Sequence, residues 1–176
     1  MQLIKHKCGF TLLEGLVVMV ILVIFTGMAT VMLLNIKSNE ISGVQSEFLS
    51  ILSLAHNEAV TRSVPTVIEA RSPIAGNEFA GGWRLGVDTN NNGTIDSNEI
   101  IIRSRAALSK NINFGSGKNL ISQQVNRIQF DSKGYLLASS PIQLKICIKD
   151  SNSQDGYQFI VNNNGLSNVK NNISCK

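Results

Sequence analysis

The twelve residues from Asp88 to Glu99 have the side-chain types and spacing of a calcium-binding loop. A hard cation takes about six to eight oxygen ligands, and a central glycine permits the sharp turn that gathers them. The chemistry therefore makes calcium a possible cofactor. The predicted ligands are Asp88, Asn90, Asn92, Thr94, Asp96 and Glu99. The alternative is a polar turn held by bonds between side chains and backbone, because the flanking segments have strand patterns rather than helical ones.

A single acid, Glu14, interrupts an otherwise uncharged apolar stretch from Phe10 to Leu34. This stretch exceeds the roughly 20 residues that a helix needs to cross hydrocarbon, and the basic Lys5 and Lys7 precede it. It is too long for a secretory signal, and no small-residue cleavage site follows it. Because an acid inside such a helix is costly without a partner, we expect a membrane-spanning segment in which Glu14 has a function.

Catalytic constellations are absent from the sequence. His6 precedes the apolar stretch and His56 lies in a predicted helix, so neither is paired with a nucleophile. The chain contains no HExxH motif, Walker loop, nucleophile elbow or Cys/His pair. We therefore expect that the protein is not an enzyme.

Beyond the apolar stretch, the pattern predicts the same helix in amphipathic form over residues 35–63. Apolar residues recur there at spacings of three and four, as one buried helix face requires. They are Ile41, Val44, Phe48, Ile51, Leu52, Ala55 and Ala59. The helix should end at Val64-Pro65, because a residue before proline disfavours the helical conformation.

Residues 64–176 are predicted to form a mostly antiparallel β domain, because short β-type segments alternate there with Gly, Asn, Ser and Asp clusters. The predicted strands are Thr66–Ala70, Trp83–Val87, Glu99–Arg105, Val125–Phe130, Ile142–Lys149 and Tyr157–Val161. We expect residues 162–176 to be a tail that would be loose without a disulfide tying it to the domain. The fold class is thus α+β, with one long amino-terminal helix packed on a β-sandwich-like domain.

The stretch Gly9-Phe10-Thr11-Leu12-Leu13-Glu14 resembles the processing site of type IV pilins and type II secretion pseudopilins. In that family a prepilin peptidase cuts after the glycine and methylates the new amino-terminal phenylalanine, and the glutamate guides filament assembly. The resemblance implies a leader over residues 1–9, cleavage between Gly9 and Phe10, a filament-core helix over 10–34, and an assembly role for Glu14. The amine of Phe10 on a neighbouring subunit would then satisfy the Glu14 carboxylate.

Later segments resemble the FimT/GspH group of minor pilins and pseudopilins. The residues that carry this resemblance are Leu54-Ala55-His56-Asn57-Glu58-Ala59, Arg62, Ser63, Pro65, Gly82-Trp83, Ile128-Gln129-Phe130-Asp131 and Gly134. It implies a pilin-like fold and a low-abundance structural subunit of a tip or priming complex. It also implies a single pass through the inner membrane, a periplasmic globular domain, and other pilins, prepilin peptidase and membrane lipid as partners.

Two cysteines remain if the leader, which contains Cys8, is removed. In an oxidising compartment the pair Cys147 and Cys175 predicts a disulfide, and two free thiols are the alternative. The bridge would close a loop of about thirty residues and contribute on the order of 3 kcal/mol. Such a carboxyl-terminal pair is more usual in pilus subunits, so the sequence favours a type IV pilus over the type II secretion alternative.

DNA binding for natural transformation is a further alternative. Some FimT proteins resemble DNA receptors with a Gly-Arg-x-Arg motif, where this chain has Gly165-Leu166-Ser167-Asn168 and lacks both arginines. The candidate phosphate contacts are Arg103, Arg105, Lys110, Lys118 and Arg127, with Lys133, Lys145, Lys149 and Lys170 as further cations. Such residues bind polyanions without sequence preference, or they form an ordinary solvated face.

Overall fold

The structure is a computed structural model that describes residues 12–116, 125–149 and 156–175, apart from the side chains of helix residues 27–39. The described residues form one long helix and eight strands. These are α1 (Leu12–Arg62), β1 (Thr66–Ala70), β2 (Trp83–Val87), β3 (Ile101–Arg105), β4 (Ile112–Gly115), β5 (Arg127–Phe130), β6 (Ile142–Ile148), β7 (Gly156–Val161) and β8 (Ser167–Ile173). The chain divides into two compact units, Met1–Asn39 and Glu40–Lys176.

The strands of the second unit form two antiparallel sheets. Sheet A has the order β3-β2-β1-β5, and sheet B has the order β4-β6-β7-β8. The apolar face predicted for the amphipathic half of α1 packs against these sheets, and all seven of its residues are at most 2% exposed. The predicted α+β class, with a helix on a pair of sheets, is confirmed.

Phe48 of α1 lies at the centre of the core and joins the helix to both sheets. Its ring makes edge contacts with Trp83 of β2 at 5.2 Å and Phe79 at 5.5 Å between centroids. It also contacts Phe114 of β4 at 4.6 Å and Phe159 of β7 at 5.1 Å. Edge-to-face packing of this kind stabilises aromatic pairs beyond the area they bury.

The helix ends at Arg62, close to the predicted end. Ser63 adopts a left-handed conformation with φ 53°, and the Val64 amide donates to the Ala59 carbonyl at 3.3 Å. A left-handed residue after the last helical turn is a common cap, and Pro65 prevents continuation. The buried Thr66 hydroxyl then donates to the Ala55 carbonyl at 2.9 Å, which fixes the start of β1 on the helix.

No strand was predicted in the carboxyl-terminal tail, whereas residues 167–173 form the edge strand β8 paired with β7. The asparagine-rich sequence hides this strand from pattern analysis, since an edge strand needs few apolar residues. Val169 packs against the core opposite Phe159. Strand β4 was also not predicted; it is four residues long, and Ile112 and Phe114 are its only large apolar residues.

No helical stretch among the described side chains is long and apolar enough to cross a membrane. The span predicted over residues 10–34 includes positions outside the described part of the chain.

Candidate functional site

The Asp88–Glu99 loop folds over the outer face of sheet A. Strand β1 places Ile68 and Ala70 in the core, so Val67 faces the other way, yet Val67 is fully buried. Its partner across the sheet is Gly86, where an added Cβ would lie 2.9 Å from Cδ1 of Ile95 in the loop. The loop therefore forms a small second apolar contact on the side of sheet A away from the helix.

Asp88 organises the first half of the loop from a fully buried position. Its Oδ1 accepts the Asn92 amide at 3.0 Å, and its Oδ2 accepts the Gly93 amide at 2.8 Å. The Gln129 side chain on β5 also donates to Oδ2, at 2.9 Å. Gly93 has φ 78°, a conformation that favours glycine, so the turn requires this residue type.

Glu99 closes the second half of the loop and is 9% exposed. Its Oε2 accepts the Asp96 amide at 2.9 Å, and its Oε1 accepts the amide and hydroxyl of Thr89 at 2.7 and 2.8 Å. These donors, the Asp96 amide foremost, lower the pKa of Glu99 below its ordinary value, and burial opposes them in part. Hydrogen bonds within the protein thus favour the charged form of the Glu99 carboxylate.

The loop oxygens accept hydrogen bonds from the protein in this conformation. Every carboxylate oxygen of Asp88 and Glu99 accepts a protein donor, and Oδ2 of Asp96 accepts the amino groups of Asn90 and Asn92 at 2.8 Å each. Among residues 12–116, 125–149 and 156–175, no group of three or more His, Cys, Asp or Glu side chains is placed to hold a metal ion. These bonds are the ones expected of the polar turn, and calcium binding stays a prediction.

Two of the five arginine and lysine candidates for DNA contact are attached to other parts of the protein. Arg105 forms an ion pair with Glu47 of α1, and its guanidinium lies 5.4 Å from the centre of the Trp83 ring. Arg127 donates to the Gly93 carbonyl at 2.8 Å, which ties β5 to the loop. Both side chains therefore have a structural role.

The structure does not bring these candidates together. Arg103 and Arg105 lie on β3 and Arg127 on β5, the two opposite edges of sheet A, so about 14 Å of sheet separates them. Lys110 is exposed before β4, and Lys118 lies outside the described residues. The arginine and lysine set chosen from the sequence is not one surface.

The further cations Lys145 and Lys170 lie together on sheet B. Leu144 and Ile146 of β6 point into the core, so Lys145 between them faces outward. Lys145 pairs with Gln158 of β7, which pairs with Lys170 of β8. This grouping depends on strand order, which the sequence pattern alone does not give.

A disulfide joins Cys147 to Cys175, as predicted, with 5.8 Å between their Cα atoms. It connects the end of β6 to the residues after β8 and passes beside Gly156, the first residue of β7. An added Cβ at Gly156 would lie 2.5 Å from the Cys175 Sγ. The bridge therefore requires glycine here, a requirement that the sequence did not reveal.

The turn that corresponds to the Gly-Arg-x-Arg position packs against the protein. Gly165 has φ 79°, and an added Cβ would lie 2.0 Å from the Gly134 carbonyl oxygen and 2.6 Å from Cδ2 of His56. His56 also makes an edge contact with Phe130 at 6.1 Å. His56 is a packing residue between the helix and two tight turns.

The predicted processing residues Gly9 and Phe10 lie outside the described residues. Glu14 belongs to the first turn of α1 and is exposed. The large apolar side chains that follow, from Leu16 to Phe25, are between 45% and 70% exposed in the isolated chain. This helical segment therefore needs an apolar environment that the single chain does not supply.

Comparison with solved structures identifies the fold. The type IV minor pilin FimU of Pseudomonas aeruginosa superposes with a TM-score of 0.62 at 19% identity, covering 80% of this chain and 98% of FimU. The minor pseudopilin EpsH from the type 2 secretion system of Vibrio cholerae superposes with a TM-score of 0.50 at 14% identity, covering 75% of this chain and 97% of EpsH. At these identities the likeness concerns the fold alone.

Comparison with sequence-family models assigns the chain to a family. No curated protein matches the chain. The prokaryotic amino-terminal methylation motif matches residues 4–30, and the family model described as type II transport protein GspH matches residues 45–165. Because that match spans more than half of the chain, this protein belongs to the GspH family of minor pilins and pseudopilins.

Proposed function

We propose that the protein is a minor structural subunit of a type IV pilus, acting at the tip or in the complex that primes assembly. The observation that carries this proposal is a methylation motif over residues 4–30 on the same chain as a GspH-family domain over 45–165. The pilin-type fold shared with FimU supports it. The carboxyl-terminal disulfide favours a pilus, since the resemblance associates such a pair with pilus subunits.

In this proposal the amino terminus is matured by prepilin peptidase. The enzyme removes residues 1–9 and methylates Phe10, and the following helix anchors the subunit by a single pass in the inner membrane with its globular domain in the periplasm. The exposed apolar side chains of the segment support a lipid or filament-core environment. Glu14 then pairs with the amine of Phe10 on a neighbouring pilin during assembly.

Processing is tested on protein isolated from native membranes. Tryptic peptides analysed by mass spectrometry should begin at methylated Phe10, and Gly9→Val should leave the leader attached. Gly43→Ala, an exposed glycine farther along the helix with open space for the added methyl group, is the matched control and should be processed normally. Recovery of unprocessed wild-type chain alone would contradict the proposal.

A type II secretion pseudopilin is the second candidate, because the family description names type II transport. A deletion strain scored in parallel for piliation, protein secretion and DNA uptake separates the possibilities. Loss of piliation supports the pilus subunit, and loss of secretion with intact pili supports the pseudopilin. Loss of DNA uptake with intact pili would instead support the DNA-binding alternative.

The assembly role of Glu14 is tested by complementing that strain. Glu14→Ala should fail to restore the lost phenotype, whereas Glu40→Ala, which removes an exposed acid elsewhere on the helix, should restore it. Equal membrane levels of the two variants, measured by immunoblotting, exclude a difference in expression. Full complementation by Glu14→Ala would refute the role.

A further inference from the structure

The outer face of sheet B is a flat surface of lysine and amide side chains. We name it the lysine–amide face and define it by Gln143 and Lys145 of β6, Gln158 of β7, and Asn168 and Lys170 of β8. Strand register places these residues in two adjacent rows, Lys145–Gln158–Lys170 and Gln143–Ile160–Asn168. Lys145 and Lys170 are two strands apart, about 10 Å.

The positive charge of this face is not compensated by the sheet that carries it. None of the four strands of sheet B contains Asp or Glu. Within residues 12–116, 125–149 and 156–175, each ion pair uses an arginine, so Lys145 and Lys170 have no carboxylate partner there. The buried Glu78 carboxylate, which accepts donors from Gly76 and Ser116, lies over Gly115, the register partner of Lys145 on β4. Lys170 is on the opposite edge strand from β4, so the two lysines still exceed this one acid, and a cationic face attracts a polyanion at long range.

The side chains of Gln143 and Gln158 on this face are hydrogen-bonded to each other. The Gln158 side-chain amino group donates to the Gln143 side-chain oxygen at 2.9 Å. Among the described residues, this bond leaves the amino group of Gln143 and the oxygen of Gln158 for an external ligand. A donor and an acceptor therefore lie beside the two lysine charges.

We propose that the lysine–amide face binds an acidic polysaccharide. Sugar hydroxyls donate and accept hydrogen bonds, so they match both free groups of the glutamine pair, and sugar carboxylates match the lysines. A nucleic-acid backbone offers acceptors only at its phosphates, and no aromatic residue faces outward on these strands to stack on bases. Binding at this surface goes beyond the proposed assembly role.

Binding is measured with the full chain in a non-ionic detergent at low salt. The probes are polygalacturonate, neutral dextran of similar size and a short duplex DNA. Polygalacturonate should bind and dextran should not. Added salt should weaken the binding, because lysine–carboxylate attraction is screened.

Charge-reversal variants locate the surface. Lys145→Glu with Lys170→Glu should weaken polygalacturonate binding by about tenfold or more, because two attractive contacts become repulsive. Arg103→Glu with Lys133→Glu makes the same change in net charge elsewhere and should change binding by less than about twofold. Equal losses of polygalacturonate binding in the two charge-reversed double variants would overturn the assignment to sheet B. If circular dichroism shows that the charge-reversed pair unfolds, Lys145→Gln with Lys170→Gln replaces it, and unchanged binding by that pair would also overturn the proposal.

Neutral variants distinguish a polysaccharide from nucleic acid. Gln143→Ala with Gln158→Ala should weaken polygalacturonate binding about threefold or more by removing two hydrogen-bonding groups, with little effect on DNA. Tighter binding of DNA than of polygalacturonate, with no effect of the amide pair, would replace the polysaccharide by a nucleic acid and overturn the proposal. Failure of the wild-type chain to bind polygalacturonate would overturn it as well.

Discussion

The outer faces of the two sheets differ in how their charges are used. On sheet A, Arg84 pairs with Glu69 at 2.9 Å and donates to the Ile95 carbonyl, and Arg127 holds Gly93. The cations there fasten a loop that covers the strands. On sheet B, the lysines lie on an open face without acidic neighbours in their strands.

This difference shows why a count of basic residues is a poor guide to a binding surface. Arginine suits structural pairing because its planar guanidinium makes several directed hydrogen bonds at once. Lysine is a compact charge on a flexible stem, which remains hydrated at a surface unless a ligand arrives. Arg84, Arg105 and Arg127 of sheet A are therefore part of the fold, whereas the lysines of sheet B are available to a partner.

The largest expected effect comes from truncating Phe48, the side chain that packs against both sheets. Phe48→Ala should lower the free energy of unfolding by about 3–5 kcal/mol, because it removes a fully buried ring that contacts aromatic residues from both sheets. Chemical denaturation followed by circular dichroism and by fluorescence of Trp83 measures the loss. Ser50→Ala, on the exposed side of the same helix, is the control. A loss confined to the Trp83 signal would show that Phe48 stabilises sheet A alone.

Removal of the disulfide should affect sheet B more than sheet A. Cys147→Ser with Cys175→Ser should cost on the order of 3 kcal/mol, because the bridge restricts a long loop in the unfolded chain. Hydrogen exchange should increase more in β8, which the bridge also holds locally, than in β1 and β2, where only the loss of global stability acts. Ser174→Ala, an exposed neighbour of Cys175, is the control. Equal exchange increases in both sheets would contradict a local role of the bridge.

Loss of the loop anchor should affect sheet A only. Asp88→Ala leaves the amides of Asn92 and Gly93 without their acceptor and should cost about 1–3 kcal/mol. Asn98→Ala changes an exposed residue of the same loop and should cost little. Thermal melting compares the two variants. The same melting temperature for both would mean that Asp88 does not fasten the loop.

Acid pH should lower the stability by a smaller amount, through Glu99 in the loop that covers sheet A. The pKa of Glu99 is lowered in the folded protein, so its contribution to stability is present above the ordinary value of about 4.5 and decreases as pH falls below it. Melting temperature measured across this range should fall less steeply in Glu99→Gln than in the wild type. If melting temperature falls in parallel with pH in both proteins, other carboxylates cause the acid sensitivity.

Calcium should produce the smallest change, because the loop carboxylates already accept protein donors. We expect the same melting temperature with calcium chloride as with magnesium chloride. A rise specific to calcium that disappears in Asp88→Ala would show that the loop rearranges into the metal site that its spacing suggests.

The sequence by itself determined the local elements. Helical periodicity identified the buried face of α1, and Thr66–Ala70 and Trp83–Val87 were predicted with their observed bounds. These features are local, since each depends on side-chain spacing within a few residues of chain. With Cys8 assigned to the expected leader, Cys147 and Cys175 likewise left a single intramolecular pair.

Only the tertiary structure decided which charges are free. Arg105 meets Glu47, and Arg127 meets Gly93, across long stretches of chain that no local pattern connects. Strand order separates Arg103 from Arg127 and aligns Lys145 with Lys170. The acids of the Asp88–Glu99 loop accept mainly from the loop's own residues, and Gln129 of β5 adds one donor from a distant segment. A residue's type fixes its chemistry, but its neighbours in space decide whether that chemistry is already satisfied.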